Sequence, residues 1–171
     1  EQVAAANLAS SHFNNASGMT DKLVALNFLA SMDGEGAAAR DSALEQFYHD
    51  ADGDALVLNK WFYIQALADL PDVLDRVKEL TKHPDFTLSN PNRCISLICA
   101  FTMNEAPFHD ERGEGYKFLG EILVELDKLN PQLSARIARS LTEWRRYNEK
   151  RGQLMKGELV KLLTKLEGIS D

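Results

Sequence analysis

The segment Phe86–Phe101, Phe-Thr-Leu-Ser-Asn-Pro-Asn-Arg-Cys-Ile-Ser-Leu-Ile-Cys-Ala-Phe, restricts the fold more than any other stretch of this chain. Asn90 carries a side-chain oxygen that suits the free N–H groups of a first helical turn. Pro91 follows where a missing N–H costs nothing and a fixed φ already fits the helix. Beyond this start, Cys94, Leu97, Ile98 and Phe101 fall at i, i+3, i+4 and i+7, a continuous apolar stripe on which neighbouring helices can pack. Arg93, Ser96 and Ala100 project along another face. Arg93 is thus a cation near the helix end where the dipole least favours positive charge. It calls for a partner such as a carboxylate, and a structural ion pair is the simplest reading.

The same grammar recurs along the chain. Val3 to about Phe13 is Ala-rich and ends at Asn14-Asn15-Ala16-Ser17-Gly18. Thr20 is positioned to cap a second helix, with Leu23, Val24, Leu26, Phe28 and Leu29, that stops before Asp33-Gly34-Glu35-Gly36. A third spans Ala37 to Tyr48. Leu56 to Leu67 is apolar on most sides and predicts a central fourth helix. Pro71 opens a fifth helix through Val73, Leu74, Val77 and Leu80, and Asn90-Pro91 the sixth. Tyr116, Leu119, Leu123 and Leu126 mark a seventh, after the polar turn at 110–114. Asn130-Pro131 repeats the Asn-Pro start for an eighth, carrying Leu133, Ile137, Leu141 and Trp144. A ninth runs from about Asn148 through Met155, Leu159, Leu162, Leu163 and Leu166. No segment alternates as a half-buried strand would.

Helices joined by such short turns pack as antiparallel neighbours. The expected fold is therefore all-α, an α-solenoid-like superhelical stack of antiparallel helix pairs. An irregular helix bundle is the alternative, because no strict repeat is present. At 171 residues the chain suits a single helical domain, residues 1–171, or a piece of one. It lacks an initiator Met, and Ser170-Asp171 forms a helix-start signature with nothing after it, so a longer polypeptide is expected on both sides. No stretch has the apolar length of a membrane span, and the first residues do not resemble a signal peptide. Cys94 and Cys99, five apart on one helix, would project about 140° from each other and beyond disulfide reach. They read as core thiols of a reducing compartment.

Charge is spread unevenly. Between Ser134 and Lys165, nine basic residues face only Glu143, Glu149 and Glu158; that segment is +6 within a chain of −7. An acidic partner or nucleic acid would be attracted to it. The aromatic and glycine platforms of RNA-binding modules are missing, so a solvated helix face is the favoured reading and no nucleic-acid partner is expected.

Catalytic patterns are scarce. His12, His49, His83 and His109 are isolated in sequence, without H-E-x-x-H spacing. Asp50-Ala51-Asp52-Gly53-Asp54 imitates the start of a calcium loop, yet the places for its glycine and bidentate glutamate hold Ala55 and Trp61. His109-Asp110-Glu111 belongs to a polar turn. Arg136 is the cation that stands out. Leu133, Ile137, Leu141 and Trp144 take the core side, and Arg139 and Glu143, at i and i+4, are expected to pair. Arg136 is left without a local partner. It is either a solvated surface residue or, on the inner side of a curved stack, a fork for a carboxylate-bearing ligand.

Several of these segments together resemble a known family. Met-Thr-Asp-Lys-Leu (19–23), Lys-Trp-Phe (60–62), Phe-Thr-Leu-Ser-Asn-Pro-Asn-Arg (86–93), Ser-Leu-Ile (96–98), Phe-His (108–109), Asn-Pro-Gln (130–132) and Arg-Arg-Tyr-Asn-Glu-Lys-Arg (145–151) are collinear with the C-terminal helical domain of bacterial aminopeptidase N, a zinc-dependent gluzincin aminopeptidase. The resemblance implies a division of labour. An upstream catalytic domain of the same polypeptide would hold zinc through H-E-x-x-H and a further Glu, and a Gly-x-Met-Glu-Asn loop would hold the substrate amine. Met103-Asn104-Glu105 is no substitute for that loop. This domain would enclose a chamber for peptide substrates, with no catalytic residue and no metal of its own, in a cytoplasmic enzyme. A short final helix would follow Asp171. The same resemblance implies that Arg136 and Arg93 are substrate-chamber residues; Arg93 is the first Arg of the helix-start motif, whose frequent second Arg is replaced here by Ile95. A free-standing helical scaffold for a protein partner is the competing reading.

Overall fold

The computed structural model describes residues 1–167. Its helices are α1 (Gln2–Asn15), α2 (Met19–Ala30), α3 (Ala37–Asp50), α4 (Ala55–Ala66), α5 (Val73–Leu80), α6 (Pro91–Cys94), α7 (Ala100–Met103), α8 (Glu105–Phe108), α9 (Glu114–Leu129), α10 (Pro131–Thr142) and α11 (Glu149–Glu167). Short 3-10 turns occupy Gly34–Gly36 and Glu143–Arg146. No strand occurs among the described residues. The expected stop near Leu166 agrees with α11, although that side chain and the sequence after Glu167 lie outside the described structure.

Successive helices pack on their neighbours. α1 rests on α2 and α3, α4 on α5 and on the Pro91–Met103 segment, α9 on α10 and α11. A single apolar cluster runs through the stack, from Phe13 and Leu26 through Phe62, Leu97 and Phe101 to Leu119, Leu141 and Met155. The all-α stack expected from the short turns is the observed architecture.

Its centre is the Pro91–Met103 rod against α4. Asn90 Oδ1 accepts from the N–H groups of Asn92 at 3.0 Å and Arg93 at 3.2 Å, as the Asn-Pro signature requires. Cys94, Leu97, Ile98 and Phe101 are wholly buried. The opposite face is not solvated: Arg93, Ser96 and Ala100 are buried as well. Exposure remains only along the edge formed by Asn92, Ile95, Cys99, Thr102 and Met103, so the stripe reading understates the rod's burial. Ile95–Cys99 is moreover a π turn, in which the Ala100 N–H donates to the Ile95 carbonyl five residues back. Such a turn widens the spiral and changes the facing of every residue after it, so the 140° separation of Cys94 and Cys99, which assumes a regular α-helix, does not apply across it. Both thiols are free; Cys94 is buried and Cys99 half-buried.

Other local expectations change too. Thr20 does not cap α2, which starts one residue earlier from Gly18 without a side-chain cap. Val24 and Phe28, two of the apolar residues carried by α2, stand 68% and 54% exposed. α4 is central through Leu58, Trp61, Phe62 and Ile64, but Leu56 at its start points to solvent. The acidic turn before α4 carries a cap: Asp54 Oδ1 accepts from Leu56 N–H at 2.8 Å and Val57 N–H at 3.0 Å. α5 starts at Val73, two residues after Pro71.

Two measurements test this centre. Asn90→Ala should lower stability by about 1 kcal/mol, read as a reduced urea midpoint with an unchanged slope. The Cys94 thiol, which donates to Leu88 O at 3.3 Å and is pushed by burial to about 11, should resist iodoacetamide at pH 8 until the chain unfolds, while Cys99 reacts first.

Candidate functional site

The two arginines singled out from the sequence occupy different environments. Arg93 is 5% exposed, at the junction of α6 and α4. Its Nη1 donates to Asn59 Oδ1 at 2.8 Å, and its guanidinium carbon lies 5.1 Å from the Phe62 ring centre. No carboxylate pairs with it among the described residues; the expected ion pair is replaced by an amide and a ring face. Its Nε is buried without a hydrogen-bond partner among the described residues. Burial pulls its pKa down and the field of Asp85 pulls it back up. Asp85 itself accepts a 2.6 Å hydrogen bond from the Tyr48 hydroxyl. His83, isolated in sequence, completes the cluster by packing edge-on against Tyr48 and Phe62 and tilted against Trp61.

Arg136 is exposed on α10, off the buried stripe of Leu133, Ile137 and Leu141. Among the described residues it has no ion pair or side-chain hydrogen bond. Arg139 does not pair with Glu143. Glu143 lies in the 3-10 turn after α10, where the change of helical pitch brings it to Arg146 Nη1 at 2.9 Å instead. Nearby, the half-buried Trp144 ring is flanked by Arg145 at 4.3 Å and Lys156 at 5.4 Å. The outward side of α10 and the following turn is therefore a basic face around one aromatic ring. Arg93 is buried beside α4 and Arg136 is exposed on α10, so the structure does not bring the two into one site.

A third cluster was not legible from spacing. His109, placed in a solvated turn by its sequence neighbours, is a junction between three segments. Its Nδ1 lies 2.9 Å from the Tyr116 hydroxyl, and its Nε2 lies 2.8 Å from the Tyr147 hydroxyl. The imidazole also stacks on the Tyr147 ring at 4.1 Å. Arg151 Nε donates to the His109 carbonyl at 2.6 Å, and Arg151 and Lys150 both reach Glu111. Two glycines permit this approach. Gly113 enters α9 at φ 72°, and a Cβ on Gly115 would lie 2.7 Å from the Phe108 carbonyl oxygen. The neutral imidazole satisfies both hydroxyls, donating through one nitrogen and accepting through the other. Burial lowers its pKa and outweighs the upward pull of Glu105, while Arg151 adds a lesser push downward. The open cleft beside it, lined by Glu105, Ala106, His109, Tyr147 and Arg151, measures about 360 Å³.

Buried Arg40 is a second feature the sequence did not flag. Its Nη1 donates to the Met32 carbonyl at 2.8 Å and its Nε to Asp41 Oδ1 at 2.7 Å, which ties the turn before α3. No three His, Cys, Asp or Glu side chains converge as a metal site among the described residues, so the residues present do not fit zinc. No described helix is long and apolar enough to cross a membrane.

Stacked helix pairs sharing one continuous core place the chain in the class of armadillo-type helical repeats. The chain belongs to the family described as a domain of unknown function with ARM repeats, DUF3458_C, whose model matches residues 1–171. It is 41% identical over 153 residues to aminopeptidase N of Caulobacter vibrioides, covering 89% of this chain and 17% of that protein. To aminopeptidase N of Escherichia coli it is 39% identical, covering 91% and 18%. The crystal structure of Legionella pneumophila aminopeptidase A in complex with aspartic acid superposes with a TM-score of 0.88 at 36% identity, over 94% of this chain and 19% of that one. The chain thus spans less than a fifth of the length of these relatives, and its resemblance to the aminopeptidase N C-terminal domain holds.

The His109 junction has a pH signature. Because the folded imidazole titrates below the ordinary 6.5, its contribution to stability is complete above about pH 6.5 and is lost as pH falls toward the folded value. A histidine NMR titration should place His109 below 6.5. Replacement by Gln should flatten the dependence of unfolding free energy on pH below about 6.5.

Proposed function

We propose that residues 1–171 are the C-terminal, non-catalytic helical domain of a zinc-dependent aminopeptidase that removes N-terminal residues from peptides, and that a short helix follows it. The observation that carries this reading is the collinear match over nine-tenths of the chain to aminopeptidases N, each about five times as long. In this reading the zinc and the bond-making groups belong to the preceding domain of a cytoplasmic enzyme. The helical stack encloses the substrate chamber and restricts what enters. Enclosure assists the chemistry without touching it, because removing water strengthens charge interactions inside a site.

Arg136 is the side chain best suited to meet substrate from this domain. It is an exposed guanidinium with no competing carboxylate among the described residues, on a helix fixed by three buried hydrophobic residues. A planar fork of N–H donors binds the carboxylate or carbonyl groups of a peptide beyond the scissile bond. Arg93 acts from beneath the chamber wall, where its hydrogen bond to Asn59 holds α4 and α6 in register.

Kinetics of the intact enzyme test this. Arg136→Ala should lower kcat/KM for peptides of three or more residues by about tenfold, the loss of one charge-assisted hydrogen bond. Hydrolysis of alanine arylamides, which end at the scissile bond, should change by less than about twofold. Equal losses on both substrates would remove Arg136 from the chamber.

A further inference from the structure

A buried hydroxyl sets the proton arrangement of the His109 junction. Tyr116 is fully buried, and His109 Nδ1, at 2.9 Å, is the one hydrogen-bond partner of its hydroxyl among the described residues. A hydroxyl carries one proton besides its acceptor lone pairs. If Nδ1 donated to it, that proton would be left buried without an acceptor, at the full desolvation cost of a lone donor. The Tyr116 O–H therefore donates to Nδ1, and the imidazole proton sits on Nε2. The Nε2–H in turn donates to the Tyr147 oxygen, 2.8 Å away. Tyr147 thus keeps its own proton for another acceptor, and none takes it among the described residues.

Tyr147 lines the open cleft of about 360 Å³ beside the junction, together with Glu105, Ala106, His109 and Arg151. Its ring, stacked on the imidazole at 4.1 Å, fixes the hydroxyl in place. Arg151 is fixed as well, with Nε on the His109 carbonyl at 2.6 Å and Nη1 3.5 Å from Glu111 Oε1. Its Nη2 carries no hydrogen bond among the described residues. A hydroxyl proton and a guanidinium edge, both held from behind, match the two oxygens of a carboxylate. Glu105 lines the same cleft as an exposed carboxylate, and no ion pair joins it to Arg151 among the described residues. Opposite charges that share a cleft without meeting suit a ligand that carries both.

We propose that the cleft between Glu105, Tyr147 and Arg151 binds a free α-amino acid, with its carboxylate on the Tyr147 O–H and Arg151 Nη2 and its ammonium on Glu105. The ligand's side chain then lies along Ala106 and the stacked rings, which favours small or apolar amino acids, whereas Glu105 repels acidic ones. The choice of an amino acid among zwitterions rests on the reading of the chain as part of an aminopeptidase, which releases products of this class. The placement of donors and acceptor stands without it.

Isothermal titration of the intact polypeptide with L-alanine, its zinc centre filled by an amino hydroxamate, tests the site. One equivalent of L-alanine should bind per chain. Propionate, which lacks the ammonium, and ethylamine, which lacks the carboxylate, should each bind about tenfold more weakly or worse. Glu105→Gln and Tyr147→Phe should each weaken L-alanine by about tenfold, the loss of one charge-assisted hydrogen bond. Glu105→Gln alters only an exposed side chain, so its circular dichroism should match that of the parent, and it keeps the test open if Tyr147→Phe disturbs the junction. Absence of L-alanine binding, or an affinity unchanged in Glu105→Gln, would overturn the proposal. Propionate binding as tightly as L-alanine would leave only an anion site and equally overturn it, as would a tenfold preference for the dipeptide Ala-Ala. An intact polypeptide with neither zinc nor peptidase activity would instead defeat the aminopeptidase reading, and its titration with L-alanine alone would still decide the cleft.

Discussion

The packing of α4 against the Pro91–Met103 rod is the contact on which the remaining arrangement depends. Phe62 from α4 and Leu97, Ile98 and Phe101 from the rod are each fully buried. This seam leaves Arg93 only 5% exposed. A lone cation in such a place is tolerated only with compensation. Asn59 supplies an oxygen, Phe62 a ring face and Asp85 a field from a distance. The arrangement leaves the Arg93 Nε without a partner among the described residues, so the seam couples α4 and α6 while retaining a polar flaw at its edge.

On either side of that seam the domain is held by different means. Toward the N-terminus the contacts are apolar and small: Ala6, Ala9, Ala25 and Ala30 allow α1 and α2 to approach closely. Toward the C-terminus polar junctions take over. His109, Tyr116, Tyr147 and Arg151 bind the end of α8 to α9 and α11, and Glu111 links to both Lys150 and Arg151. Exposed ion pairs contribute little singly. The half-buried hydrogen bonds of the His109 junction matter more, because they are shielded from competing water.

The two ends of the stack differ in surface chemistry: the first helix pair leaves Leu8, Val24 and Phe28 exposed, whereas α10 and the turn after it present exposed guanidinium groups. No three His, Cys, Asp or Glu side chains converge as a metal site among the described residues.

The amino-acid sequence by itself determined the helices and their order, because Asn-Pro starts, apolar stripes and glycine-rich stops act within a turn or two of the chain. It also determined the family, since the collinear motifs survive without knowledge of their packing. Tertiary structure decided which faces were buried. The rod's second face carries Arg, Ser and Ala, which a stripe analysis assigns to water, and only the approach of α4 encloses it. Val24 and Phe28 show the converse, being apolar yet bare because no element among the described residues covers α2 on that side. His109 reached its tyrosines across gaps of 7 and 38 residues, and Glu143 exchanged one arginine for another when a helix tightened into a 3-10 turn. Local rules have a range of about four residues along a helix; contacts between helices are settled by the shape of the assembled stack.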